Sequence, residues 1–264
     1  MIPLFSTVFL LARGHSMPYR KLVQIAIFVF IGTTILSDTA FGQEAMSAEE
    51  KQAINTLIEA YIMENPEVIL KSIEGMRERA QLREAEEAKK NIIALKDEIM
   101  YNPADPIAGN PDGDLTVVEF FDYRCGYCKQ FFTELSALIE EDENLRVVFK
   151  ELPILGPASE LAAKAALAAT EQGLYLEFHS AMMNAKGSFT ERRVFAIAEE
   201  VGLDIPRLRK DMESSTVQTV LDDAKNLADQ LSVSGTPAII VGSNLVRGAI
   251  SKDRLKAMVT AARQ

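Results

Sequence analysis

Residues 115–130 read LTVVEFFDYRCGYCKQ. The first seven are apolar but for Thr116 and Glu119 and rich in Val and Phe, which predicts a buried strand, and the strand runs straight into the start of a helix. Cys125 and Cys128 fall at that junction as a Cys-x-x-Cys pair. A helix N-terminus carries positive partial charge and unpaired N–H groups, so a thiolate there is stabilised over the neutral thiol. Cys125 is therefore the candidate nucleophile. Cys128, one helical turn further, is spaced to close on it and to form or release a disulfide.

Two other readings of the pair weigh against this one. A closed zinc site needs four ligands, whereas the chain holds two cysteines and two histidines, His15 and His179. His15 lies in a segment expected to be removed, so zinc requires two chains to share a metal. A purely structural disulfide is the other reading, in an unusual place for one. No metal ligand set and no cofactor is assigned.

The chain has 264 residues, 48% hydrophobic, enough for one substantial core with appendages. It is acidic, with formal net charge -10. No basic run or aromatic-spaced Lys/Arg patch occurs, which argues against nucleic acid as a partner. From Met17 the sequence runs through Tyr19, Arg20 and Lys21 to an apolar stretch, Leu22 to Leu36, and then to Ala40-Phe41-Gly42. This is the pattern of a secretory signal cleaved after Gly42, with residues 1–16 as an upstream start. An uncleaved membrane anchor is the alternative, because the stretch is just long enough to span. Residues 1–42 are assigned as signal peptide and the chain as exported to the periplasm, where disulfides persist. Since both cysteines sit in the one pair, cysteine serves chemistry here and not stapling.

Ser47 and Glu50 form a capping box ahead of Ile54, Leu57, Ile58, Tyr61 and Ile62 at helical spacing. After Asn65-Pro66 a longer helix is predicted to about Ile99. Its stripe Ile69, Ile73, Met76 and Ala80 gives way to a second one, Ala85, Ala88, Ile92, Leu95 and Ile99. Between Arg77 and Lys90 most residues are charged, as in a solvated connector. Residues 43–98 thus read as a helical stalk and linker, in which residues 47–80 pair with copies of themselves; folding back onto the main domain is the alternative. Ile99 to Tyr101 is expected to add an edge strand. Strands are predicted at Leu115 to Phe121, Leu145 to Leu152, Ala238 to Val241 and Leu245 to Arg247. The first two are separated by the cysteine helix and are expected to run parallel. A helical block at 157–213, a helix from Val217 to Leu231 and a last helix from Lys252 to Ala262 complete an α/β chain.

This order, with Cys-x-x-Cys opening the first helix of the domain and Thr236-Pro237 ahead of the third strand, resembles the thioredoxin fold with an inserted helical subdomain found in DsbA-like disulfide oxidoreductases. The resemblance covers about residues 97–264, and the domain is set at 99–264. It implies that Thr236-Pro237 is the family's cis-proline loop, facing the sulfurs and offering backbone hydrogen bonds to an extended client. It implies that Glu119 is a buried acid that exchanges a proton with Cys128, and desolvation by itself raises the pKa of a carboxyl inside an apolar strand. Lys150 matches a lysine that pairs with that acid. Gly126 and Tyr127 are the tuning dipeptide, which sets the redox preference. The chain departs from DsbA, which has Pro-His there, and carries the Cys-Gly-Tyr-Cys and Thr-Pro of the isomerase DsbC. Its N-terminal helices resemble the ScsC branch, whose extension oligomerises. His179, beside Phe178 and Met182, reads as a packing histidine. Met182 and Met183 read as packing or client surface.

The expected activity is thiol–disulfide exchange on unfolded or misoxidised exported proteins, with a membrane redox partner and a homo-oligomer formed through residues 47–80. Isomerase or reductase is favoured over a DsbA-type oxidase. A copper-binding or redox-sensing thiol protein remains a second class, since soft thiolates suit Cu(I). A holdase using the helical block is a third.

Overall fold

A computed structural model describes residues 46–264, so the signal segment 1–42 lies outside the described residues. The chain divides into two compact units, one ending at Ile69 and one spanning Leu70–Gln264. In the first, helix α1 (Ala48–Glu64) starts at a reciprocal cap. The Ser47 hydroxyl accepts from the Glu50 N–H at 3.2 Å, and the Glu50 carboxylate accepts from the Ser47 N–H at 2.9 Å. Pro66 ends it by restricting Asn65. The helix buries none of its side chains, and Ile54, Leu57, Ile58, Tyr61 and Met63 are exposed.

Helix α2 (Glu67–Ala94) carries the chain into the second unit, where its charged middle is exposed and Ala88 and Ile92 are buried. A short helix α3 (Lys96–Met100) follows. The edge strand expected at Ile99 to Tyr101 is a helical turn instead, with the Ile99 N–H bonded to the Leu95 carbonyl at 2.9 Å. Helical spacing keeps Ile92, Leu95 and Ile99 on one face, and a strand would have turned alternate residues out of the core. The edge strand is β1 (Ile107–Gly109), bounded upstream by Pro106.

The remaining elements of the second unit are β2 (Leu115–Phe121), α4 (Gly126–Glu141), β3 (Leu145–Glu151), α5 (Pro157–Ala169), α6 (Tyr175–Asn184), α7 (Glu191–Val201), α8 (Ile205–Asp211), α9 (Ser215–Gln230), β4 (Ala238–Val241), β5 (Asn244–Arg247) and α10 (Lys252–Ala262). The five strands form one sheet in the order β1-β3-β2-β4-β5. Only β2 and β3 pair in parallel. Val117, Phe121, Val147, Phe149, Ile239 and Val241 of one sheet face pack in a core with α4, α10 and the helical insertion. On the other face Val118, Phe120, Val148, Ala238 and Ile240 pack with Ile92, Ile99, Met100 and the end of α9. The packing of that second face therefore begins at α2, upstream of residue 99, and Asn91 adds a bond to the Gln230 carbonyl at 2.9 Å. Among the described residues no helix is long and apolar enough to cross a membrane.

Lys150 does not meet Glu119. In the parallel register Glu119 lies opposite Phe149 and Phe120 opposite Lys150. Side chains alternate across a strand, so the lysine leaves by the face opposite the acid. There its ammonium pairs with Asp105 and donates to the Glu98 carbonyl at 2.9 Å, locking α3 and the segment before β1 onto the sheet. Burial pushes the Asp105 carboxyl up further than its partner draws it down. Lys150→Met is expected to destabilise the fold by about 3–5 kcal/mol, because a buried carboxyl loses its cation. Adding Asp105→Leu should restore most of that loss. Urea midpoints read the cost, and a thiol-exchange rate unchanged in the folded variants checks that the pair is structural.

Candidate active site

The loop Asp122–Arg124 turns the end of β2 into α4, and buried hydrogen bonds hold it. Asp122 Oδ1 accepts from the Arg124 N–H and the Ser159 hydroxyl, both at 2.8 Å, and Oδ2 accepts from the Leu155 N–H at 3.0 Å. Its carbonyl accepts from the Cys125 N–H at 3.0 Å. Cys125 is thereby fixed as the N-cap residue of α4, with extended backbone and no side-chain cap bond. It therefore stands at the helix end that favours negative charge.

Thr236-Pro237 is a cis peptide, and it comes up against this turn from the start of β4. The Cys125 thiol donates to the Thr236 carbonyl at 3.2 Å. Both cysteines are free thiols. Cys125 keeps 8% of its surface exposed and Cys128 none. Burial, with the charge of Glu119 second, pushes the Cys128 thiol far up. Gly126 has open space where a Cβ would stand, and Tyr127 is 68% exposed. The Gly126-Tyr127 dipeptide thus faces outward between the two cysteines.

Glu119 is fully buried and neither carboxyl oxygen has a hydrogen-bond partner. Burial first, then the charge of Cys125, hold its carboxyl well above the usual carboxylate range. Native protein therefore keeps a proton that the unfolded chain releases above the ordinary carboxylate pKa. Stability contributed this way falls as pH rises through the window between the unfolded and folded values. Glu119→Gln is expected to flatten that decline in a pH series of urea midpoints. Resolution by Cys128 should also slow by about 10²-fold, the low end of general acid–base contributions, with attack by Cys125 largely unaffected in stopped-flow traces.

Next to this site lies a cluster that sequence reasoning missed. Glu151, the last residue of β3, is buried, and its Oε1 accepts from the Tyr123 hydroxyl at 3.1 Å and the Tyr175 hydroxyl at 3.0 Å. Tyr123 Oη also bonds His179 Nδ1 at 2.9 Å. His179 stacks on Tyr175 and contacts the rings of Phe121, Phe132 and Phe149. Burial drives its pKa down to about 3, so the ring is neutral. An acid inside an apolar strand singled out Glu119; the same pattern marks Glu151, disguised by the adjacent Lys150 as a charged strand end. Lys129, also missed, sends its ammonium to the carbonyls of Met182, Met183 and Ala185 at 2.9, 3.2 and 2.7 Å, capping α6 from the cysteine helix. Met182 and Met183 are buried, so they are packing and not client surface. Among the described residues no cluster of three or more His, Cys, Asp or Glu is placed to hold a metal.

The family model for the DSBA-like thioredoxin domain matches residues 116–260, from the cysteine strand to the last helix. The chain belongs to this family. A second model, described as the copper resistance protein ScsC N-terminal domain, matches residues 50–81. Among solved structures, the chain is similar to a thioredoxin-like oxidoreductase from Silicibacter pomeroyi DSS-3, with 44% identity, TM-score 0.63 and coverage of 64% of this chain and 97% of that one. It is also similar to the catalytic domain of Proteus mirabilis ScsC, at 25% identity, TM-score 0.61 and coverage of 66% and 98%. Among curated proteins it matches the Na(+)/H(+) antiporter NhaA 1 of Salinispora arenicola, 31% identical over 61% of this chain and 26% of the antiporter. The chain thus spans about a quarter of the length of that relative. Residues 116–260 are a thiol–disulfide oxidoreductase domain of the DsbA/ScsC type.

Proposed function

We propose that the chain is an exported protein disulfide isomerase or reductase. Cys125 attacks a client disulfide and forms a mixed disulfide. A client thiol then reattacks, which isomerises the client, or Cys128 resolves the adduct, exchanging a proton with Glu119. Extended client backbone lies along Thr236-Pro237, and Gly126 and Tyr127 tune the couple. Clients are misoxidised exported proteins, and a membrane donor keeps the pair reduced.

The observation that carries the isomerase reading is the match of residues 50–81 to the ScsC N-terminal domain, over helical residues that bury no apolar side chain and leave Ile54, Leu57, Ile58 and Tyr61 exposed. Copies joined there hold several dithiols around one misfolded client, raising their effective concentration. They also hinder docking by a partner that oxidises monomeric enzymes. Recovery of scrambled ribonuclease by the reduced mature protein tests this, against a form lacking residues 43–80. The deletion stops before Ala88 and Ile92 because both belong to the catalytic unit's core. Strong recovery by the first and weak recovery by the second supports the reading. No recovery, with rapid oxidation of reduced ribonuclease by the disulfide form, selects the oxidase. A copper-handling role, favoured by the copper resistance description of the matched N-terminal domain, predicts stoichiometric Cu(I) binding without exchange activity.

A further inference from the structure

Register places two buried acids on one face of the sheet. Glu119 lies opposite Phe149, and Phe121, two residues along β2, lies opposite Glu151. The acids are diagonal neighbours, and the charge of Glu119 is felt at Glu151. Neither has a cation on its face, because Lys150 leaves by the other. Glu151 Oε2 and His179 Nε2 are buried without a hydrogen-bond partner. The two nitrogens of an imidazole ring point in different directions, so with Nδ1 on Tyr123 the bare Nε2 is turned away from it. His179 also forms part of the floor of a groove of ≈ 200 Å³ between α4 and α6, walled by Phe132, Ser136, Glu140 and Leu176.

We propose that Glu151 is a second proton-holding residue of the thiol site, filled and emptied from the α4/α6 groove through Tyr123 and His179. The hydrogen bonds admit two arrangements that differ by one proton. With Glu151 ionised, both tyrosine hydroxyls donate to Oε1, His179 Nδ1–H donates to Tyr123 Oη, and Nε2 is bare. A proton arriving at Nε2 lets Nδ1–H pass to Tyr123 Oη, while the tyrosine proton passes to Glu151. The products are a neutral carboxyl and the other neutral histidine tautomer, so no charge is left on the ring.

The relay matters to exchange because the disulfide and the attacking form of the dithiol differ in charge. When a client dithiol reduces the Cys125–Cys128 disulfide, the client loses two electrons and two protons and becomes a disulfide. One proton goes to the Cys128 thiol; in the attacking form, in which Cys125 reacts as a thiolate, the second proton is free to fill Glu151. Glu151 is then neutral while that thiolate exists and can ionise when it is gone. The titratable groups around Glu151 are Glu119, Asp122 and Tyr123 from β2 and its loop and Tyr175 and His179 from α6. Cys125 lies beyond Glu119, whose charge it affects, and α9 brings Val217, Val220 and Leu221 to this core.

This inference rests on the dithiol reading above, and its test separates the two. Infrared difference spectra between reduced and oxidised protein, in the protonated-carboxyl region, should contain a band that Glu151→Gln removes while that of Glu119 remains. Glutamine keeps an oxygen for both tyrosine hydroxyls, so their positions are held. The pH profile for resolution of a Cys125–glutathione adduct should lose one inflection in the same variant. Tyr123→Phe retains the carboxyl but cuts the path, and should abolish the redox response of that band. If Glu151→Gln does not fold, this second variant decides by itself. A wild-type response in Tyr123→Phe, or spectra and pH profile unchanged in Glu151→Gln, overturns the proposal. If the cysteine pair does not cycle at all, the dithiol reading fails and not the relay.

Discussion

Cys125→Ser is expected to abolish thiol–disulfide exchange, and Cys128→Ser to accumulate clients in mixed disulfides. The asymmetry follows from where the two sulfurs sit. Cys125 caps α4 and keeps some exposure, with its thiol against the Thr236 carbonyl, so it is the sulfur that a client reaches. Cys128 is wholly buried, and burial with the charge of Glu119 holds it in the thiol form. It cannot start an exchange, but it is one helical turn from the adduct that it resolves. Turnover with a fluorescent disulfide peptide should fall to background in Cys125→Ser, a loss of at least about 10³-fold, as when a nucleophile that acts as a unit with its partners is removed. Non-reducing gels of Cys128→Ser mixed with reduced and oxidised clients should show adducts that added dithiothreitol releases. Activity surviving in Cys125→Ser sinks the mechanism, because the one cysteine then left among the described residues, Cys128, is wholly buried and out of a client's reach.

Leu57→Glu combined with Tyr61→Glu should dissociate the proposed assembly and reduce scrambled-ribonuclease recovery, with peptide turnover unaffected. Ile54, Leu57, Ile58 and Tyr61 share one stripe of α1 and are all exposed in the single chain. Burying a large apolar side chain gains roughly 1.5–3 kcal/mol, so two such losses, each with a carboxylate placed in the contact, weaken association by several orders of magnitude. Sedimentation equilibrium reads the mass. A wild-type chain that already sediments as a monomer, or a variant of unchanged mass, removes the stalk from the isomerase reading. Loss of peptide turnover along with ribonuclease recovery would place the defect in the catalytic unit.

Much of the site was legible because its chemistry is local. Two cysteines three apart at a strand-to-helix junction, and a Thr-Pro before a later strand, are features of neighbouring residues. Sulfur position, helix-end charge and capping depend on the backbone within a turn or two. Periodicity placed β2, β4 and α10 at their observed ends for the same reason. The N-terminal capping box is likewise complete within four residues.

What tertiary structure decided depends on which residues meet across the sheet. Lys150 lies on the face opposite Glu119 because the parallel register sets Phe149 and not Lys150 beside the acid, and no local pattern contains a register. Ile99 and Met100 are helix and not strand because they fill the core from a helical turn that Lys150 and Asp105 pin down. Glu151, Tyr123, Tyr175 and His179 stand at four separate places in the chain, and only packing of α6 against the end of β3 makes one hydrogen-bonded cluster of them. The sequence by itself determined the pair of thiols and the turn that presents them, since those are set by bonds a few residues long. The protonation environment of those atoms was decided by the fold, because desolvation and long-range charge exist only once distant segments are brought together.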